Sequence, residues 1–148
     1  MDVGSDEGGR WLQAAYLHDA LKDASSAFLR ELAPDAWLHD ALRHGPAAAA
    51  MAQRHGESDP GVLSAVRYHS VGCADWDAVG RMLYLADYLE PGRDGGRDPL
   101  PTLRRRVPEQ GDEVLLEVAV ARVVATVTAR HPLLPETVAF WNRLVCGV

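Results

Sequence analysis

Hydrophobic positions along this chain recur at helical rather than strand spacing. In "RWLQAAYLHDALKDA", the residues Trp11, Leu12, Ala15, Leu17, Ala20 and Leu21 predict an amphipathic helix, preceded by a flexible, Gly-rich start over residues 1–9. "SSAFLREL" predicts a short helix closed near Pro34, and "DAWLHDALRHGPAAAAMAQRHG" one helix or two, bent around Gly45–Pro46 and stopped at Gly56. In "SDPGVLSAVRYHS", Asp59 suits a cap and Pro60 the first helical position, with Val62, Leu63 and Val66 turned inward. "ADWDAVGRMLYLADYLEPG" repeats the device with Asp75 as the expected cap, and a loop rich in Gly, Arg and Pro follows. The run "RRR" at 104–106 reads as part of a solvated loop. "GDEVLLEVAVARVVATVTARH" is rich in valine, yet its length and lack of strict alternation favour a buried helix over a strand. Pro135 opens a last helix through Trp141 and Leu144. With no Asn-Gly hairpin signal and no repeat period, the pattern predicts an all-α, single-domain helical bundle.

Composition narrows the function without fixing it. A chain of 148 residues buries a core without disulfide staples, and 47% hydrophobic with 24% charged residues is an ordinary globular balance. The formal net charge of −6 argues against partners such as nucleic acid or an anionic membrane. A small phosphate-bearing substrate stays compatible, because a metal or a few arginines can reverse the field inside one pocket. Cys73 and Cys146 match no ligand spacing, which points to a reducing, cytoplasmic setting. No basic segment precedes an apolar run at the start of the chain, so no signal peptide is expected, and no stretch suits a membrane span.

The candidate chemistry lies in the histidines and acids. Of six histidines, His18, His44 and His69 sit on apolar helical segments. Asp87 in "LYLADYLEP" has apolar neighbours on both sides, and a carboxylate there is costly to bury unless it is paired, hydrogen-bonded or on a metal. Four helices each offering one ligand type is how a bundle builds an internal metal site. His18 and Asp19 are adjacent, so on a continuous helix they diverge by about 100°. They can still flank one centre, the imidazole on one metal and the carboxylate reaching or bridging to a second. Lys22, the single lysine, lies one turn on, where it can pair with Asp19 or receive a phosphate. Blander readings stand beside these. Each histidine can be a core or surface residue with a satisfied hydrogen bond, and Asp87 can pair with an arginine such as Arg81. His39–Asp40 reads as a decoy, and His55 and His131 as cations suited to helix ends. Trp76, Tyr84 and Tyr88 offer stacking faces, although aromatics at such spacing usually belong to the core.

In this order and spacing, "LHDALK", "LRHGPAAA", "VLSAVRYHSVG" and "LYLADYLEPGR" resemble the YqeK family of HD-domain phosphohydrolases. The dipeptide "HD" alone is weak evidence, whereas "AVRYHS" followed by "LADYLEPGR" is specific. The resemblance runs from about Trp11 to Leu144 and includes "LPETVAFWNRL". It implies an HD-type helical fold over residues 10–148 around a two-metal centre, often di-iron, with Mn or Zn as alternatives suited to imidazole and carboxylate ligands. The implied activity is symmetrical cleavage of the nucleotide diadenosine tetraphosphate into two ADP. Carried over by position, the metal ligands would be His18, Asp19, His44, His69 and Asp87, with Asp19 bridging. Lys22 and Arg93 would face the phosphates and offset developing negative charge. The family's pattern opens with a further histidine on an upstream helix, whereas residues 1–17 hold none, so the chain reads as shortened at its N-terminus relative to the family. Three accounts stand open: a start called too late, a working variant with one strong and one weak metal site, or a relative that has lost catalysis and kept a binding role. A missing first helix would also uncover an apolar face suited to homodimer formation. The rival expectations are a catalytically impaired HD protein that binds a nucleotide or partner, and a purely structural bundle.

Overall fold

The computed structural model describes residues 4–34, 39–92 and 99–147, and among these residues all regular structure is helical. Seven helices follow in order: α1 (Gly4–His18), α2 (Ser26–Leu32), α3 (Asp40–Arg54), α4 (Pro60–Tyr68), α5 (Ala78–Tyr88), α6 (Leu100–Thr128) and α7 (Pro135–Cys146). The all-α expectation holds, and so does the role of Pro60 and Pro135 in the first turns of α4 and α7.

The first five helices form one unit. α4 packs on α3, α5 and α1, and α2 packs on α3. Their shared core includes Ala14, Leu29, Ala47, Ala48, Val62, Val66 and Val79. A run of alanines on α3 lets α4 come close, and Gly45 brings it closer still. A Cβ on Gly45 would lie 2.9 Å from the Arg67 carbonyl oxygen, 3.0 Å from that of Val66 and 3.2 Å from His69 Cε1. A second core joins α5, α6 and α7, where Phe140 packs edge to face on Trp76 and Tyr84, and the three ring centroids lie 5.2–5.6 Å apart. Trp76 and Tyr84 are therefore core residues.

Several local expectations change. α1 begins at Gly4, so residues 4–9, expected to be flexible, form its first turns. Arg10 explains the anchoring: its Nε donates to Asp59 at 2.6 Å and its Nη2 to Asp77 at 2.6 Å. These two aspartates cap α4 and α5, Asp59 accepting from the Gly61 and Val62 amides and Asp77 from the Val79 amide. The cap of α5 is thus Asp77, not Asp75. On α1 the inward face is Ala14 and Leu17, continued by Leu21 in the turn beyond it, while Trp11 and Leu12 are 41% and 61% exposed. Ala14 lies one turn before His18, so turning that histidine inward puts the two large apolar residues outside. α3 runs unbroken through Pro46, so the segment read as one helix or two is one.

α6 starts at Leu100, well before Gly111, and is kinked at Gln110 (φ −131°, ψ 39°), two residues past Pro108. The "RRR" run is consequently helical. Arg104 donates to the Leu89 and Glu90 carbonyls at the end of α5, and Arg106 spans the kink to Glu117 at 2.7 Å. The valine-rich half buries Val114, Leu115, Val118 and Ala119 but exposes Val120, Val124 and Val127.

Candidate metal centre

α1 ends at His18, and the chain tightens immediately after it. The amides of Ala20, Lys22 and Ala24 each donate to the carbonyl three residues back, at 3.1 Å. This change of backbone at His18 removes the geometric conflict of a continuous helix, and both His18 and Asp19 turn toward the same point. His44 arrives from α3, His69 from the end of α4 and Asp87 from the last turn of α5. His44, His69 and Asp87 are buried, while His18 and Asp19 form the half-buried entrance.

The five side chains make two triads that share Asp19. In one, Asp19 Oδ1 lies 3.3 Å from His44 Nε2 and 3.8 Å from His69 Nε2. In the other, His18 Nε2 lies 3.7 Å from Asp19 Oδ2 and 3.8 Å from Asp87 Oδ1. Within each triad the nearest donor atoms all lie within 4.8 Å of one another.

The hydrogen bonding suits these atoms to a cation. Each histidine places Nδ1 against the carbonyl three residues before it: His18 on Ala15 at 2.7 Å, His44 on Ala41 at 2.9 Å and His69 on Val66 at 2.8 Å. A carbonyl only accepts, so Nδ1 carries a proton and Nε2 is the ring atom each histidine turns inward. The Nε2 atoms of His44 and His69 face each other at 3.1 Å. Two lone pairs that close repel each other, and a cation between them and Asp19 converts the repulsion into ligation. Burial pushes His69 down to about 4, with neighbouring His44 and His18 adding to the effect, so it is neutral at physiological pH. Burial works against ionising Asp19, but the Lys22 hydrogen bond and nearby His18 hold its carboxyl below the usual range. The residues present therefore fit a metal centre.

Lys22 Nζ sits 2.9 Å from Asp19 Oδ2 and is half exposed beside the two entrance residues. Arg93 lies outside the described residues. His39 and Asp40 stand apart from the centre, Asp40 pairing with Arg30 at 3.3 Å and Arg43 at 3.4 Å. His55 is the exposed C-cap of α3.

One important residue escaped the sequence reading. The ion pair foreseen between Asp87 and Arg81 is made by Arg122 of α6, whose Nη2 lies 2.9 Å from Asp87 Oδ2. Its guanidinium also lies over Tyr84 at 4.5 Å and Tyr88 at 5.3 Å from the ring centroids. Arg81 instead lines a groove with Asp112 and Arg143. A lone arginine in a valine-rich run was the only available signal, and it does not name its partner.

A helical bundle whose interior gathers three imidazoles and two carboxylates, with one aspartate common to two triads, defines a class of helical protein with a histidine–carboxylate cluster able to hold metal. This chain belongs to the HD domain family, which matches residues 1–92. The match spans α1 to α5 and all five candidate ligands. The chain is 28% identical over 142 residues to the symmetrical bis(5'-nucleosyl)-tetraphosphatase of Bacillus subtilis, covering 90% of this chain and 75% of that protein. It is equally 28% identical over 144 residues to the protein of the same name from Halalkalibacterium halodurans, covering 89% and 74%. Among solved structures, a predicted HD superfamily hydrolase involved in NAD metabolism from Clostridium acetobutylicum superposes with a TM-score of 0.78 at 20% identity, covering 99% of this chain and 93% of the other. That likeness extends the shared fold through α6 and α7.

Proposed function

We propose that this protein is a metal-dependent phosphohydrolase that cleaves diadenosine tetraphosphate symmetrically into two ADP. The observation that carries the reading is the pair of triads joined at Asp19, and the two tetraphosphatase relatives support the choice of substrate. Asp19, His44 and His69 would hold one cation, and His18, Asp19 and Asp87 a second. Metals bound there supply Lewis acidity to the phosphoryl oxygens and lower the pKa of water.

The chain's own residues prepare the rest. The carbonyls of Ala15, Ala41 and Val66 keep three imidazoles in the ligating tautomer. Arg122 holds Asp87 Oδ2, so Oδ1 is left toward His18. Lys22 is placed to exchange Asp19 for an incoming phosphate and offset charge that grows as the P–O bond breaks, with Arg93 as its proposed companion. The donor set suits iron, with manganese or zinc as substitutes. No helix among the described residues is long and apolar enough to cross a membrane. The enzyme is proposed to act in the cytoplasm, and exposed Trp11, Leu12 and Tyr16 on α1 support pairing of two copies.

The test is metal content measured together with turnover. Wild-type protein should hydrolyse diadenosine tetraphosphate only when loaded with iron or manganese, and His69→Ala should lose both bound metal and turnover. Undiminished hydrolysis by His69→Ala, or by metal-stripped protein, overturns the proposal.

A further inference from the structure

Beside the metal centre, and sharing no candidate ligand with it, lies a cavity of about 440 Å³. That volume falls within the roughly 300–1,000 Å³ typical of small-molecule sites. Leu42, Val71, Leu134 and Pro132 give it mostly apolar walls. The cation of Arg122 and the imidazoles of His39 and His131 line it too, and the hydroxyls of Thr126 and Thr137 donate to the Arg122 and Val71 carbonyls. His39 precedes α3 and His131 follows α6, yet their rings lie nearly parallel, 24° apart in plane with centroids at 6.3 Å. Neither histidine takes part in the centre described above.

The cavity wall includes residues that hold or adjoin three of the candidate ligands. Ala41 lines it, and the Ala41 carbonyl fixes His44. Ser70, the residue after His69, lines it as well and accepts from Arg122 through its carbonyl. Tyr84 lies one turn before Asp87, and Arg122 binds Asp87 while facing the cavity. Arg122, which lines the cavity and binds Asp87, thus joins its wall to the metal centre.

We infer that this cavity is a nucleoside subsite, which takes the base of a nucleotide whose phosphates reach the metal centre. The His39 and His131 rings offer aromatic faces to a planar heterocycle, the apolar walls desolvate it, and Arg122 favours a ligand that carries negative charge on the side of the centre. A saturated acyl chain would use the apolar walls but neither the imidazole faces nor the guanidinium. The inference rests on the phosphohydrolase reading for where the phosphates sit, and it extends that reading from the reacting phosphates to the base.

The test compares ADP with inorganic tripolyphosphate by calorimetry on manganese-loaded protein. Base stacking and burial should make wild-type affinity for ADP at least about tenfold higher than for tripolyphosphate. Thr137→Phe, which fills the cavity from a half-buried position on α7, and His131→Ala, which removes one aromatic face, should each erase most of that preference. Tripolyphosphate affinity and manganese content should then stay within about twofold of wild type. A preference that survives both substitutions, or none in the wild type, overturns the subsite. If the preference behaves as expected but diadenosine tetraphosphate is not hydrolysed, the proposed reaction fails and the subsite stands.

Discussion

Gly45→Ala sets two opposing effects against each other at a point the structure defines closely. Gly45 lies inside α3, where alanine should gain roughly 0.5–1 kcal/mol over glycine from backbone entropy alone. The added methyl, however, would meet the Arg67 carbonyl at 2.9 Å, the Val66 carbonyl at 3.0 Å and His69 Cε1 at 3.2 Å. Two of these neighbours are backbone atoms of α4, which cannot rotate away, so the helices must separate. Overpacking of this kind costs about 1–3 kcal/mol. The clash should therefore win by about 1–2 kcal/mol, lowering Tm by roughly 2–8 °C in a chain of this size. The same separation moves His69 away from His44, so the Asp19–His44–His69 triad should bind manganese at least about tenfold more weakly. Differential scanning fluorimetry and a manganese titration measure both quantities. A variant more stable than wild type with unchanged manganese affinity would refute the claim that Gly45 sets the α3–α4 spacing at the centre.

Other perturbations probe different parts of the account. Arg122→Met removes the guanidinium from a largely buried pair with Asp87 and should cost the metal-free protein about 3 kcal/mol. Manganese should narrow that gap in thermal melts, because a cation again neighbours Asp87; a gap indifferent to manganese would remove Asp87 from the ligand set. Lys22→Ala breaks a half-exposed pair worth at most about 1 kcal/mol, yet turnover of diadenosine tetraphosphate should fall about tenfold or more. Equal turnover in the two proteins would end the phosphate-facing role of Lys22. The Arg10 hydrogen bond, aided by the Val62 amide against the opposing effect of burial, holds Asp59 below its ordinary 3.8. A depressed folded-state pKa means this stabilisation is fully present above pH 3.8 and is lost as the pH falls through the folded value. The Tm difference between wild type and Arg10→Ala should thus be constant near neutrality and shrink below pH 3.8. A difference independent of pH would show that Arg10 acts without Asp59.

Much of the centre was readable because its residues are chemically conspicuous where they stand. Histidines on apolar helical stretches and Asp87 between leucine, alanine and tyrosine announce themselves by their cost of burial. The caps Asp59 and Asp77 show where that legibility ends. Asp59 precedes a proline and was unambiguous, but "ADWD" offers two aspartates, and only the backbone at Asp77 selects between them. On α1 the apolar spacing fits two faces, and the requirement that His18 point inward decides for Ala14 and Leu17 over Trp11 and Leu12. The end of α1 at His18 was hidden because "HDALKDA" is good helix-forming sequence. The turns that follow are dictated by Asp19 joining the same centre. Arg122 was illegible for a different reason: its role depends on α6 folding back across α5, a long-range contact that local pattern does not encode.

The central claim is most directly tested by the products formed when iron- or manganese-loaded protein is incubated with diadenosine tetraphosphate and resolved by anion-exchange chromatography. The proposed reaction predicts ADP as the sole nucleotide product, and the paired triads around Asp19 predict its absence when the metal is chelated. Equal amounts of ATP and AMP, or ADP released regardless of metal, would contradict the account.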